Sequence, residues 1–398
     1  MNFLKSLPFQ LCLSITASFM LGQLLSSYAV SLFYTVSSLF IEFILFTLPV
    51  IIFVFIVRAL LNISQKSFSL LILIFLGVTV SNCLALLVSY FFSISTLPFL
   101  GLGHLPDFAE KFKSSIEPLV NLELPTLISS DKALAFGIAM GVGFSFLKEE
   151  NTIKQHTKNL FIKLGDKIGV FLNKVFIPLL PLYVFGFCLK LSYDNALVHL
   201  FQQYGKVFLL SVCLVIFYLS LLYYLGNKGN VSNAIKSVKC MFPAGLTGFS
   251  TMSSIATMPV TLTCTEKNTS DKSFTDLVIP STANIHMLGD DLTIVVTALT
   301  LLSVFGLPWP DLSSFIVFAC AFSVAKLSCV GVPGASVLVV LPILQQYMGF
   351  TPEMISILTT IYVLQDPFGT FANVMGNGAF AMIIQRVFRS FGRIRKLP

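Results

Sequence analysis

The chain is 398 residues long, 56% hydrophobic and only 11% charged, with a mean hydropathy of +0.88, whereas soluble domains carry about 25% charged residues. Such a chain cannot cover itself with polar surface in water, which excludes a soluble globular protein and leaves one continuous membrane unit. The net charge of +7 does not point to nucleic acid, because the basic residues sit at the ends of apolar runs rather than among surface aromatics.

Lys5 precedes an apolar stretch too long for a signal-peptide core and without a small-x-small cleavage site, so it reads as a first span. A spanning helix needs about 20 apolar residues, which predicts spans near 9 to 33, 37 to 61, 67 to 93, 133 to 147, 168 to 191 and 205 to 226. The fourth is short: it is either a broken helix or extends into the polar stretch 100 to 131, which carries His104, Asp107, Lys111, Lys113 and Glu123. The cysteines at 12, 83, 188, 213, 240, 264, 320 and 329 form no CxxC pair and lie almost all in apolar segments, as fillers rather than disulfides or metal ligands.

After Leu225 the apolar stretches shorten, and Ser, Thr, Gly and Pro interrupt them at membrane depth. Irregular backbone survives there only when buried in protein or lining a wet cavity, since lipid cannot satisfy its N–H and C=O groups. Segment 231 to 266 contains FSTMSSIATMPVT and segment 312 to 348 contains SCVGVPGAS; each looks like two half-length helices meeting at a polar tip. Full-length spans with intramembrane polar residues are expected near 273 to 303 and 353 to 388. The expected architecture is therefore an all-α polytopic membrane protein of eight transmembrane helices plus two re-entrant helical hairpins, and its broken segments point to a secondary transporter.

Lys5, Arg58, Lys66, the stretch from Lys148 to Lys167, Lys228, Lys236, Lys239, Lys267, Lys272 and the tail residues Arg386, Arg389, Arg393, Arg395 and Lys396 all fall on one side of that topology. This places both termini in the cytoplasm and the protein in the cell membrane, the inner membrane of a bacterium. Lys111, Lys113 and Lys132 are the exceptions.

Four motifs in register resemble the dicarboxylate/amino acid:cation symporter family, the glutamate-transporter fold. SSIATMPVT with Cys264 and Glu266 resembles the family's first hairpin tip and GVPGAS the second, while Asn284 to Gly289 resembles the unwound part of span seven and Asp366 to Asn377 the polar face of span eight. The similarity runs from about residue 230 to the end; the N-terminal half matches only in span count. The resemblance implies a homotrimer and an elevator mechanism. Residues 1–226 hold the first six helices, mostly scaffold, with the third and sixth belonging to the transport core, and residues 227–398 hold the rest of that core with both hairpins.

Half-helix N-termini present unpaired N–H groups and partial positive charge to an anion. Ser253, Ser254 and the backbone of Val332, Pro333, Gly334 and Ala335 are thus candidates for a substrate carboxylate, the alternative being small residues that permit close helix packing. Asp366 lies four residues after Tyr362 and four before Thr370, and Asn373 and Asn377 continue the same helical face. An intramembrane carboxylate costs about 2.5 to 3.5 kcal/mol on insertion scales and marks function, although a structural ion pair is the alternative. The resemblance makes Asp366 the ligand of a substrate ammonium and Asn373 a ligand of its carboxylate.

Departures from the family pattern are equally telling. Gly369 stands where acidic amino acid carriers place an arginine, and Met252 replaces a first-hairpin arginine of some relatives, so no guanidinium clamps a second carboxylate and a neutral amino acid is expected. The cation-coupling positions read Asn284, His286, Met287, Leu288, Gly289 and Asp290, with Asn373 and Asn377 on span eight; aspartates of the family have become Leu288 and Asn377. Losing two carboxylates weakens sodium binding. Lys326 is either a tethered cation in place of a sodium or a lysine snorkelling to the surface. His286 is either a proton-coupling group or a packed core histidine.

The expected function is uptake of an amino acid with altered or reduced sodium coupling, using a sodium ion or proton as coupling ion and no other cofactor. The alternatives are a conventional sodium- or proton-coupled dicarboxylate or acidic amino acid symporter and, in another class, an anion channel or transport-dead sensor. No enzyme is expected, since no nucleophile, base and orienting residue stand together.

Overall fold

The computed structural model describes residues 7–61, 68–102, 116–122, 124–125, 128–145, 147, 151–329 and 334–390. Of the sequence-based expectations, the tip residues Val332 and Pro333 and the polar residues His104, Asp107, Lys111, Lys113 and Glu123 lie outside them. The described residues are helical with no strand, which is how an apolar chain satisfies every backbone group without water.

The first helices are α1 (Leu7–Leu21), α2 (Ser27–Leu61), α3 (Phe68–Thr96) and α4 (Ser130–Ser145), followed by α5 (Thr152–Phe171), α6 (Ile177–Tyr193) and α7 (Ala196–Gly226). The break between the first two helices falls at 22–26 rather than at 34–36 as hydropathy placed it. Thr35 and Ser37 look like interruptions in the sequence, but their hydroxyls donate to Ser31 O and Phe33 O one turn back, at 2.6 and 3.3 Å, so the helix continues through them. The basic stretch before span five is also largely helix. Asn151 caps α5 by accepting from Ile153 N and Lys154 N at 2.9 and 3.2 Å. A π-turn at Leu172–Phe176 then joins α5 to α6 just ahead of Pro178, whose missing N–H suits a widened turn. The amphipathic face of α5 hides this continuity from a hydropathy window.

The second half contains α8 (Val231–Thr251), α9 (Ser254–Thr269), α10 (Lys272–Thr282), α11 (Leu288–Val304), α12 (Leu312–Lys326), α13 (Ala335–Met348) and α14 (Pro352–Ser390). Among the described residues, four helices are long and apolar enough to cross a membrane alone: Ser27–Arg58, Leu73–Thr96, Thr152–Tyr193 and Tyr204–Gly226. The later helices are shorter or carry polar faces; among them α11 is buried throughout and α14 over most of its length.

Two packing groups emerge. Helices α1, α2, α4, α5 and α6 pack on one another, whereas α14 collects α7, α8, α9 and α11, and α11 also lies on α3. Within the first group small residues permit close approach. A Cβ on Gly186 would overlap Phe33 O, and Ser37 Oγ donates across the same interface to Tyr183 O at 2.8 Å. All eight cysteines are free thiols.

Candidate functional site

Three backbone breaks converge on the polar face of α14. The first lies between α8 and α9, where Met252 takes a left-handed conformation (φ 52°), unusual for a side chain of its size. Ser253 then caps α9, its Oγ accepting from Ala256 N at 3.3 Å, and Thr251 and Thr257 join hydroxyls across the tip at 3.0 Å. Ser254 opens α9 and is buried. The second break, residues 283–287, separates α10 from α11. The third follows Lys326 and ends at Gly334, whose φ of 73° leads into α13 at Ala335.

The Gly334 N–H donates to Asp366 Oδ2 at 2.8 Å, and Thr370 Oγ1 donates to Asp366 Oδ1 at 3.3 Å. Asp366 thus meets the start of a half-helix, where backbone N–H groups and the helix dipole favour negative charge. It is 4% exposed.

Asp290 lies one turn into α11 and anchors a second cluster. Its Oδ2 is 3.0 Å from Lys326 Nζ and accepts from Ser336 Oγ at 2.6 Å and Tyr362 OH at 3.1 Å; Oδ1 accepts from Asn373 Nδ2 at 3.2 Å. Ser336 Oγ and Tyr362 OH also touch each other. Asn373 Oδ1 accepts from Gly289 N at 2.8 Å, so one amide ties α11 to α14 twice. This closeness requires glycine: a Cβ on Gly289 would overlap the Gly369 carbonyl, and one on Gly369 would stand 3.0 Å from Asp290 Oδ1. Lys326 is wholly buried, with Met287 Sδ 3.9 Å from its ammonium and the Phe322 ring 5.5 Å away. It reaches no surface.

His286 is buried against Phe380, with Nε2 3.0 Å from Ser81 Oγ and Nδ1 2.9 Å from Asn377 Oδ1. A neutral ring with the proton on Nδ1 satisfies both neighbours. Asn377 therefore works with His286, one turn of α14 beyond Asn373, which meets Asp290.

Asn284 is set apart from these clusters. It lines a cavity of about 590 Å³ whose far wall is Arg58 on α2 with Asp166 and Asn173 of the α5 segment, while Ile255, Ile285 and Cys329 bring in all three breaks. Arg58 and Asp166 pair at 3.0 Å on that wall.

Sequence reasoning missed Ser336 and Tyr362 as donors to Asp290, although Ser336 ends the second tip and Tyr362 shares the polar face of α14. It also gave no role to Asp291. This residue is fully buried, and neither carboxylate oxygen has a hydrogen-bond partner among the described residues. Among the described residues, the buried charged groups of α11, α12 and α14 are three formal carboxylates, Asp290, Asp291 and Asp366, and one ammonium, Lys326; the other buried lysines, Lys154 and Lys190, lie on α5 and α6.

Two of the breaks thus bring backbone N–H groups to buried polar side chains of α14, Gly289 N to Asn373 and Gly334 N to Asp366. Serine/threonine transporter SstT of Acinetobacter baumannii is 26% identical over 356 residues, 84% of this chain and 85% of that protein. The protein of the same name from Acinetobacter baylyi is 26% identical over 267 residues, 65% of this chain, and the match spans only 63% of the relative's length. The model of the sodium:dicarboxylate symporter family matches residues 7–387. This multi-pass membrane protein is a transporter rather than an enzyme, and it belongs to the sodium:dicarboxylate symporter family.

Proposed function

We propose that the chain is a secondary active transporter of a neutral amino acid with reduced dependence on sodium. The observation that carries this reading is Asp366, a buried carboxylate held by the Gly334 N–H at the meeting point of the broken helices. In this reading Asp366 takes the substrate ammonium with Thr370, and the tip around Ser253 and Ser254, the second tip and Asn373 take its carboxylate. Of the described arginines, Arg386 lies twenty residues beyond Asp366 on one helix, about 30 Å away at 1.5 Å per residue, Arg389 lies further along it, and Arg58, on the α2 wall of the cavity, is paired with Asp166. Without a guanidinium for a second carboxylate, serine, threonine or alanine fits better than glutamate or aspartate. The relatives named serine/threonine transporters support the same substrate class.

The tethered ammonium of Lys326 stands beside Asp290 in the role of a bound cation. Reduced sodium coupling follows from that pair together with Leu288 and Asn377. Asp290, Asp291 and Asp366 outnumber the Lys326 ammonium by two formal charges, which leaves room for a coupling cation, a sodium ion or a proton. Eight spans (α1, α2, α3, α4, α5 with α6, α7, α10 with α11, and α14) and two hairpins (α8 with α9, α12 with α13) make the architecture. The group around α2 serves as scaffold of a homotrimer in the cell membrane, and the group around α14 moves as an elevator, with both termini cytoplasmic. The 590 Å³ cavity between the groups gives the substrate its way to the tips.

A second reading, a sodium-coupled dicarboxylate or acidic amino acid symporter, is favoured by the family's description. Proteoliposome uptake of serine, threonine, alanine, glutamate and aspartate, with sodium or choline outside, separates the two. Neutral amino acid uptake that persists in choline is the expected result. Preference for glutamate or aspartate, or collapse of uptake in choline, overturns the proposal.

A further inference from the structure

The apolar run of α7, Tyr204–Gly226, is long enough to span the bilayer core, so the residues just after Gly226 lie at headgroup depth. There α7 and the end of α14 enclose a cavity of about 870 Å³, within the range of small-molecule sites, about 300 to 1,000 Å³. Lys228, Arg386 and Arg389 line it together with the half-exposed Tyr224, and Leu225 and Val387 give it an apolar flank.

Among the described residues, little neutralises these three cations. Arg386 donates through Nη1 to Leu225 O, which ties the end of α14 to the last turn of α7. This leaves most of its donors free. Arg389 Nη2 is 3.6 Å from Asp271 Oδ2 and 55% exposed. That carboxylate is already engaged through Oδ1 as the cap of α10, accepting from Phe274 N at 3.1 Å. The cavity is formally doubly positive.

We infer that this cavity binds the phosphodiester headgroup of an anionic phospholipid. Forked guanidinium donors suit phosphate oxygens, and basic pockets between spans at the membrane surface attract acidic headgroups. The apolar flank favours a phosphate that carries acyl chains over a free phosphate ion. Tyr224 offers a phenol at the interface, where amphipathic rings settle.

Titration of the full-length protein with phosphatidylglycerol, phosphatidylethanolamine or inorganic phosphate, read by native mass spectrometry, tests this. Phosphatidylglycerol should bind in preference to the other two. Lys228→Gln with Arg389→Gln should weaken its binding about 25-fold, at roughly fivefold for each cation removed. The charge-preserving pair Lys228→Arg with Arg389→Lys should bind like the wild type, which separates loss of charge from loss of folding. Removing two cations elsewhere, by Lys163→Gln with Lys167→Gln on α5, should leave binding unchanged. Equal loss in that control, unchanged binding in the Gln pair, or inorganic phosphate competing as well as the lipid would each overturn the inference.

Discussion

Replacing Lys326 by methionine removes the ammonium but keeps most of the side chain's length. At 3.0 Å from Asp290 the charge pair is worth about 5.5 kcal/mol at an effective dielectric constant near 20, before desolvation is subtracted. Deleting one partner of a buried pair costs about 3 to 5 kcal/mol, because the other charge is stranded. Asp290 would still accept from Ser336, Tyr362 and Asn373, so a loss near 3 kcal/mol is expected. Adding Asp290→Asn should recover most of that loss, since an uncharged pair of similar volume has no stranded charge. The assay is a double-mutant cycle on unfolding in detergent micelles, paired with uptake in sodium and in choline. The single variant should gain sodium dependence as the ion replaces the missing ammonium at Asp290. Additive losses in the cycle, together with the same indifference to sodium, would refute the tethered-cation reading.

Asp291→Asn removes a buried carboxylate that no donor among the described residues supports. The variant should be at least as stable as the wild type by thermal unfolding, and should lose the dependence of uptake on its coupling cation if that carboxylate balances it. Gly289→Ala puts a methyl group into the Gly369 carbonyl and should destabilise the α11–α14 contact by about 1 to 3 kcal/mol, as overpacking does; Gly143→Ala, where the space is open, is the control. Asp311 caps α12, and its hydrogen bonds with Ser313 and Ser314 hold its carboxyl below the usual carboxylate range. A depressed folded-state pKa means that the cap's contribution is complete above the unfolded-state value and disappears as pH falls through the folded one. The protection of the Ser314 amide against hydrogen exchange, relative to its intrinsic rate, should therefore fall below about pH 4 in the wild type, and show no such step in Asp311→Asn.

Where a helix breaks was legible when the cause is local chemistry. Ser253 and Gly334 are a capping residue and a left-handed glycine, and the helix starts beside them fall where such residues interrupt apolar runs. The breaks that hydropathy misplaced depend on hydrogen bonds or on amphipathic faces: Thr35 and Ser37 back-bond and stay helical, while α5 is helical in spite of its charges. The polar face of α14 was also legible, because a helical repeat puts Tyr362, Asp366, Thr370, Asn373 and Asn377 on one side.

The sequence by itself determined that this is an all-helical membrane protein with polar breaks in its second half, because lipid forbids unsatisfied backbone and an apolar surface forbids water. It also put Asp290 and Asp366 within spanning segments, left Lys326 either buried or at the surface, and did not say which groups pair. Only the tertiary structure decided that. Close contact at Gly289 and Gly369 brings Asp290 to Asn373 and Lys326, sends Asp366 to Gly334, turns His286 toward Ser81 and Asn377, and leaves Asp291 without a donor. These partners are separated by tens to hundreds of residues along the chain, and the energy of a buried charge depends on its neighbours in space rather than in sequence.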